Sequence, residues 1–191
     1  MIRLWSSGAM LAVAILFGWI ASSELMSREG KALDTERKRV QGEYLIESAL
    51  KPGMVLDVTD AKAEDLSLIQ LAGPGDQPNR RWKLYHVGDG QFVIETALKE
   101  GYDLDARDAK SDDGTLIQLG GGGVDQQNRR WRLVPVSNGE YMIETALMKG
   151  VFLDVKDASS ENLATIQLGG SNDNGRDQPN RRWRLLRVDL K

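Results

Sequence analysis

The chain has 191 residues, no cysteine and one histidine, His86. This length is enough for one well-buried domain. The absence of cysteine excludes a disulfide framework, a thiolate nucleophile and a Cys-ligated zinc, and a single histidine excludes a multi-histidine metal site. The formal net charge of −3 argues against a nucleic-acid-binding surface. We therefore expect no metal, no cofactor and no nucleic-acid partner, and five tryptophans remain to be explained.

The N-terminal segment, residues 1–23, has the pattern of an export signal. Residues 4–23 carry no charge and follow Arg3, and the small residues Ala21 and Ser23 occupy the two positions that a signal peptidase reads. We predict an apolar helix that is cleaved after Ser23. An uncleaved membrane anchor is the alternative, because a span needs about 20 apolar residues. Either way we expect the following domain to be exported, that is, secreted, periplasmic or anchored in the membrane by residues 4–23.

Residues 24–42 are dense in charge and lack a sustained apolar face, so we interpret them as a solvated linker. The basic cluster Arg37, Lys38 and Arg39 could contact anionic headgroups if the chain stays anchored. We favour the solvated linker over that contact and therefore expect membrane contact only through the N-terminal segment.

Three copies of one unit make up the remaining chain. The openings YLIESALKPGMVLDV, FVIETALKEGYDLDA and YMIETALMKGVFLDV align without a gap. Each copy continues with Ile-Gln-Leu and closes with Asn-Arg-Arg-Trp. The closing tryptophans are Trp82, Trp131 and Trp183. A repeat at this period indicates one supersecondary unit used three times, in residues 43–90, 91–139 and 140–191.

Each unit has the pattern of four short β-strands. In the first copy they cover residues 44–49, 55–58, 66–71 and 82–86, which are rich in apolar and β-forming residues. The separators are too short for a packing helix, which excludes a parallel βαβ sheet. Three copies around an axis can close a barrel and hide every strand edge, so we predict an antiparallel all-β fold of twelve strands.

These motifs resemble the ricin-type β-trefoil lectin family, and the resemblance covers residues 43–188. It implies an all-β β-trefoil of three four-stranded repeats for residues 43–191. Repeats of that family commonly end in a Gln-x-Trp motif whose tryptophan packs under a hairpin, and the three closing tryptophans take that place. An indole that recurs in an otherwise aromatic-poor chain is also most simply a core anchor, burying about 150–250 Å².

The resemblance further implies a shallow sugar pocket in each repeat. An aspartate after the apolar strand residue accepts from two sugar hydroxyls, helped by the asparagine three residues before the tryptophan and the glutamine of Ile-Gln-Leu. The matching residues are Asp57, Gln70 and Asn79, then Asp105, Gln118 and Asn128, then Asp154, Gln167 and Asn180. The carboxylate of such a set can accept charge-assisted hydrogen bonds from vicinal sugar hydroxyls, and the amides can both donate and accept. A purely structural role of the three aspartates beside tight turns is the open alternative.

Two departures from the family pattern affect these pockets. The aromatic residue on which the sugar stacks often lies two residues after the glutamine, where this chain has Ala72, Gly120 and Gly169. The glutamine of Gln-x-Trp is replaced by Arg80, Arg129 and Arg181. Arginine only donates hydrogen bonds, so we expect it to pair with the pocket aspartate or to lie flat beneath a ligand. We expect weak pockets that gain strength by engaging one multivalent glycan.

Two further sets of carboxylates repeat threefold. We assign a turn-forming role to Asp60, Asp108 and Asp157. We predict outward-facing, solvated side chains for Glu47, Glu95 and Glu144.

The function predicted from the sequence is an exported, non-enzymatic module that binds glycans or glycoconjugates. Glycoside hydrolysis needs two carboxylates whose environments differ, and threefold equivalent pockets do not create that asymmetry. The alternative is a β-trefoil that binds a protein partner in the cell envelope and has no sugar pocket.

Overall fold

The computed structural model describes residues 37–121, 126–170 and 178–188. The predicted signal or anchor segment and most of the predicted linker lie outside these ranges. Within them the regular structure consists of β-strands and short 3₁₀ turns. No helix in these ranges combines the length and the hydropathy needed to cross a membrane.

The described residues form thirteen strands. They are β1 (Lys38–Arg39), β2 (Glu43–Ser48), β3 (Val55–Val58), β4 (Ile69–Ala72), β5 (Trp82–His86), β6 (Gln91–Thr96), β7 (Asp103–Ala106), β8 (Ile117–Gly120), β9 (Arg130–Pro135), β10 (Glu140–Thr145), β11 (Phe152–Val155), β12 (Ile166–Gly169) and β13 (Arg182–Val188). The strands predicted at 55–58 and 82–86 coincide with β3 and β5.

Six of these strands close into an antiparallel barrel. Strand β2 pairs with β13, β13 with β10, β10 with β9, β9 with β6, β6 with β5, and β5 returns to β2. Closure removes the free edges that an open sheet would expose. Strand β1, from the predicted linker, pairs antiparallel with the end of β5, where Lys38 lies opposite His86.

Each repeat also contributes a hairpin, formed by β3 and β4, by β7 and β8, and by β11 and β12. Isolated bridges connect Leu68 to Gln118, Leu116 to Gln167 and Thr165 to Gln70. Because these bridges run from each repeat to the next and back to the first, residues 68, 116 and 165 surround a pseudo-threefold axis. A six-stranded barrel with three hairpins related by such an axis is the predicted β-trefoil.

The three closing tryptophans lie in the core and are fully buried. Each indole N–H donates to a backbone carbonyl of the second strand of its own repeat. The acceptors are Leu56, Leu104 and Leu153, at 3.2, 3.0 and 3.2 Å. The indole therefore links the hairpin to the barrel while its one polar atom stays satisfied.

The structure also shows how the two sets of repeated carboxylates are used. Asp60, Asp108 and Asp157 have φ angles of 56°, 57° and 55° in 3₁₀ turns, as a turn-forming role requires.

The prediction that Glu47, Glu95 and Glu144 are solvated is wrong, because all three are buried. Each accepts the backbone N–H of the glycine in the following turn. The donors are Gly53, Gly101 and Gly150, at 2.6, 2.9 and 2.7 Å. A cation from a neighbouring barrel strand compensates each charge. The cations are Arg184, Lys83 and Arg132, at 3.2, 3.3 and 3.5 Å.

Candidate functional site

The residues matched to the sugar pockets meet in one cluster per repeat. Within each hairpin the aspartate lies directly opposite the glutamine, and the 3₁₀ turn before the buried tryptophan brings the asparagine and the arginine to them. Cluster 1 consists of Asp57, Gln70, Asn79 and Arg80. Cluster 2 consists of Asp105, Gln118, Asn128 and Arg129. Cluster 3 consists of Asp154, Gln167, Asn180 and Arg181.

In cluster 1, protein donors surround the carboxylate of Asp57. Gln70 Nε2 donates to Oδ1 at 3.0 Å, and Asn79 Nδ2 and Arg80 Nε donate to Oδ2 at 2.6 and 3.0 Å. The guanidinium of Arg80 also donates through Nη1 to the carbonyl of Gly73 at 2.9 Å. Arg80 therefore joins the carboxylate to the loop that follows β4 and donates to an acceptor that the resemblance assigns to the sugar hydroxyls.

Clusters 2 and 3 repeat this arrangement with closer ion pairs. Arg129 Nε lies 2.8 Å from Asp105 Oδ2, and Arg181 Nε lies 2.7 Å from Asp154 Oδ2. The asparagine amide of each cluster donates to the same carboxylate oxygen at 3.0 Å. The pairing of arginine with the pocket aspartate therefore occurs in all three repeats.

The three clusters differ in how far solvent reaches them. Each aspartate is 3% exposed, whereas the side chains of Arg80, Arg129 and Arg181 are 19%, 10% and 8% exposed. Burial raises the pKa of Asp105 and Asp154 above the ordinary value of 3.8, against the opposing effect of the arginine and the amides. Cluster 1 is thus the most open.

Cluster 2 has two buried acceptors without a hydrogen-bond partner among the described residues, Asp105 Oδ1 and Gln118 Oε1. The corresponding amide in cluster 1, Gln70, donates to Asp57 Oδ1. A half-turn of the Gln118 amide would supply the same donor, and so would a hydroxyl from a ligand. With the amide turned in this way, Gln118 would pair with Asp105 as Gln70 pairs with Asp57.

The missing aromatic residue and the new arginine occupy adjacent space. A Cβ atom at Gly120 would meet Asp105 Oδ2 and would approach Arg129 Nε to 2.7 Å. At Gly169 it would lie 2.6 Å from Asp154 Oδ2 and 3.1 Å from Arg181 Nη2. Real Cβ atoms do not approach other atoms to under 3.0 Å. A side chain at either glycine would therefore force the carboxylate or the guanidinium to shift, whereas cluster 1 accommodates Ala72 with a longer ion pair of 3.0 Å.

The comparisons with known proteins agree with this architecture. The family model described as ricin-type beta-trefoil lectin domain-like matches residues 32–120. The designed threefold symmetric protein ThreeFoil is 26% identical, with a TM-score of 0.70 over 78% of this chain and 100% of that one. No curated protein sequence matched the chain.

Two natural proteins show the same fold at lower identity. An exo-beta-1,3-galactanase from Clostridium thermocellum is 23% identical, with a TM-score of 0.69 over 78% of this chain and 31% of that one. The C-half of an earthworm R-type lectin, solved with GalNAc, is 22% identical, with a TM-score of 0.57 over 77% of this chain and 99% of that one. This chain spans less than a third of the galactanase. The family match over residues 32–120, the closed barrel and the three hairpins show a β-trefoil fold that is similar to ricin-type β-trefoil lectin-like domains.

Proposed function

We propose that this domain binds carbohydrate and is not an enzyme. The observation that carries the proposal is the threefold assembly of an aspartate, a glutamine and an asparagine at one hairpin site, in a domain that matches a lectin-like family. The earthworm lectin of the same fold was solved with GalNAc, which supports a glycan as the ligand class. Hydrolysis needs two carboxylates in different environments, whereas the three cluster aspartates are equivalent and each is paired with an arginine.

Sugar binding at a cluster requires the guanidinium to move from the carboxylate. Vicinal hydroxyls would then donate to the aspartate, while the asparagine and glutamine amides accept from and donate to neighbouring hydroxyls. Displacement of Arg80 should cost less free energy than displacement of the other two arginines. Its side chain is the most exposed of the three, and its ion pair is the longest, at 3.0 Å. We therefore propose cluster 1 as the first site to be occupied.

Competition with an internal arginine makes each site weak. A ligand that presents several sugars gains affinity by engaging two or three clusters, because the later contacts form at high effective concentration. We infer from residues 1–23 that the domain acts outside the cytoplasm, as a secreted, periplasmic or membrane-anchored protein, where glycans and glycoconjugates are accessible.

A glycan array probed with the full chain tests the proposal. We expect binding to dense, multivalent glycans, and we expect the triple variant Asp57→Asn, Asp105→Asn, Asp154→Asn to abolish it. Asp76→Asn, an exposed aspartate outside the clusters, is the matched control and keeps binding. Near-UV circular dichroism of the buried tryptophans checks that each variant is folded. Binding that persists in the folded triple variant would place the sugar elsewhere.

A second variant tests the displacement of arginine directly. Arg80→Gln restores the glutamine of the family motif and removes the competing cation, so it should strengthen binding to a single-site glycan. Unchanged or weaker binding by Arg80→Gln would contradict a site that forms by displacing arginine.

The alternative function, binding of a protein in the cell envelope, is favoured by a specific observation. All three carboxylates already form ion pairs within the domain, so the clusters can serve the fold without any ligand. Absence of glycan binding by the wild type and by Arg80→Gln would favour this alternative.

A further inference from the structure

Two exposed leucines have a backbone conformation that favours glycine. Leu66 and Leu163 have φ angles of 69° and 68°, and they are 58% and 64% exposed. The equivalent residue of the second repeat is Gly114, with a φ of 84°. A non-glycine residue rarely adopts this conformation, and an exposed leucine gains little from burial. Both leucines are therefore unfavourable for the isolated domain.

The fold requires the backbone conformation and does not require the leucine side chain. At all three positions the backbone N–H donates to a carbonyl of the next hairpin. Leu66 donates to Leu119 at 2.9 Å, Gly114 to Leu168 at 2.9 Å and Leu163 to Leu71 at 2.8 Å. Glycine satisfies this link in the second repeat, so it would do so in the other two.

The two leucines lie at the hairpin end of the domain, around the pseudo-threefold axis. Leu68, which is 40% exposed, is bridged to the second repeat there, and Leu116, which is half-buried, is bridged to the third. We call Leu66, Leu68, Leu116 and Leu163 the leucine face. The other large exposed apolar side chains of the described residues, Met148 and Leu186, lie in a barrel turn and in β13. Grouped apolar side chains on a folded surface are typical of an interaction site.

The turns around the leucine face are acidic. Their exposed carboxylates are Glu64, Asp65, Asp112, Asp113 and Glu161. The exposed lysines of the same turns are Lys62 and Lys110, and Lys110 Nζ lies 3.9 Å from Asp108 Oδ2. This excess of negative charge opposes a second copy of the same face, anionic lipid and nucleic acid.

We propose that the leucine face docks a protein segment whose apolar side chains are flanked by lysine or arginine. The apolar side chains would pack on the leucines, and the basic residues would face the surrounding carboxylates. The two leucines are then retained for binding at the expense of local backbone strain. This surface uses residues outside the three clusters, so it does not depend on sugar binding.

A peptide library displayed on phage and selected on the full chain tests the proposal. The library is first depleted of peptides that bind the double variant Leu66→Gly, Leu163→Gly. This variant is expected to fold, because Gly114 shows that glycine fits this turn. We expect enriched peptides with aliphatic or aromatic residues next to lysine or arginine, and at least about tenfold weaker binding to the double variant. Met148→Ser removes an exposed apolar side chain elsewhere and should leave binding unchanged.

Charge and stability give two further readouts. The triple variant Glu64→Gln, Asp112→Asn, Glu161→Gln should weaken peptide binding and reduce its dependence on salt. The double glycine variant should melt at or above the temperature of the wild type. A lower melting temperature of the double variant would show that the leucine side chains stabilise the fold, which would contradict the proposal. Peptides without basic residues, equal binding to the double variant, or dimers of the full chain that the double variant dissolves would each overturn the proposal.

Discussion

Replacement of Arg181 by methionine should strongly destabilise the domain, because it leaves a buried carboxylate without its cation. Arg181 is the most buried of the three cluster arginines, and its Nε donates to Asp154 Oδ2 at 2.7 Å. Methionine preserves much of the side-chain length and cannot donate a hydrogen bond. Asp154 then retains the Asn180 donor at 3.0 Å and loses the opposite charge.

The structure sets the expected magnitude and a gradient among the repeats. Removing one partner of a buried ion pair costs about 3–5 kcal/mol, a large share of the roughly 5–15 kcal/mol that stabilises a typical domain. Arg80→Met should cost less, about 1–3 kcal/mol, because Arg80 is more exposed and its ion pair is 3.0 Å long. Arg81→Met is the matched control. Arg81 lies 3.6 Å from both Glu43 and Asp76, and its Nε donates to the exposed carbonyl of Asp76, so its loss should cost about 1 kcal/mol or less.

Urea unfolding of the full chain, followed by tryptophan fluorescence, measures these free energies. The three buried indoles become solvated on unfolding and provide the signal. The expected order of destabilisation is Arg181, then Arg80, then Arg81. A loss in Arg181→Met no greater than in Arg81→Met would show that the ion pair only offsets its own desolvation, and the reasoning from burial would be refuted.

Four further substitutions, at three positions, test other parts of the structure by the same unfolding measurement. Trp131→Ala should cost about 3–5 kcal/mol, since it empties a core site and removes the N–H donor to Leu104; a loss below about 1 kcal/mol would contradict a core anchor. Glu144→Ala should cost about 1–3 kcal/mol and Glu144→Gln less, because only the amide still accepts the Gly150 N–H; equal losses would contradict this role. Burial raises the pKa of Asp105, so the folded state binds its proton more tightly than the unfolded chain does. The free energy of unfolding of the wild type should therefore rise relative to that of Asp105→Asn as the pH falls from neutral towards 3.8. A wild-type advantage that shrinks over this range would mean that folding lowers the pKa of Asp105, which would contradict the prediction.

The repeat, the strands and the meeting of the cluster residues could be predicted from the sequence, because each depends on a short pattern that recurs three times. The burial of Glu47 could not be predicted this way. Its cation, Arg184, lies 137 residues away along the chain and reaches it only because β13 pairs with β2. Alternation within one strand indicates which side chains share a face, and it does not reveal which face another repeat covers.

The sequence also could not establish whether the aspartate of each cluster is free to bind a ligand. The sequence identifies an acceptor, Asp154, and a new donor, Arg181, but only the structure shows that the donor already occupies the acceptor. The structure also shows that the two departures from the family pattern occupy adjacent space in clusters 2 and 3. A Cβ atom at Gly169 would lie 2.6 Å from Asp154 Oδ2 and 3.1 Å from Arg181 Nη2, so a side chain there requires the carboxylate to shift and the guanidinium to move slightly. Converting cluster 3 towards the family pattern therefore requires Asp154 to move as well as Arg181 to change, because the contact shorter than 3.0 Å is with the carboxylate.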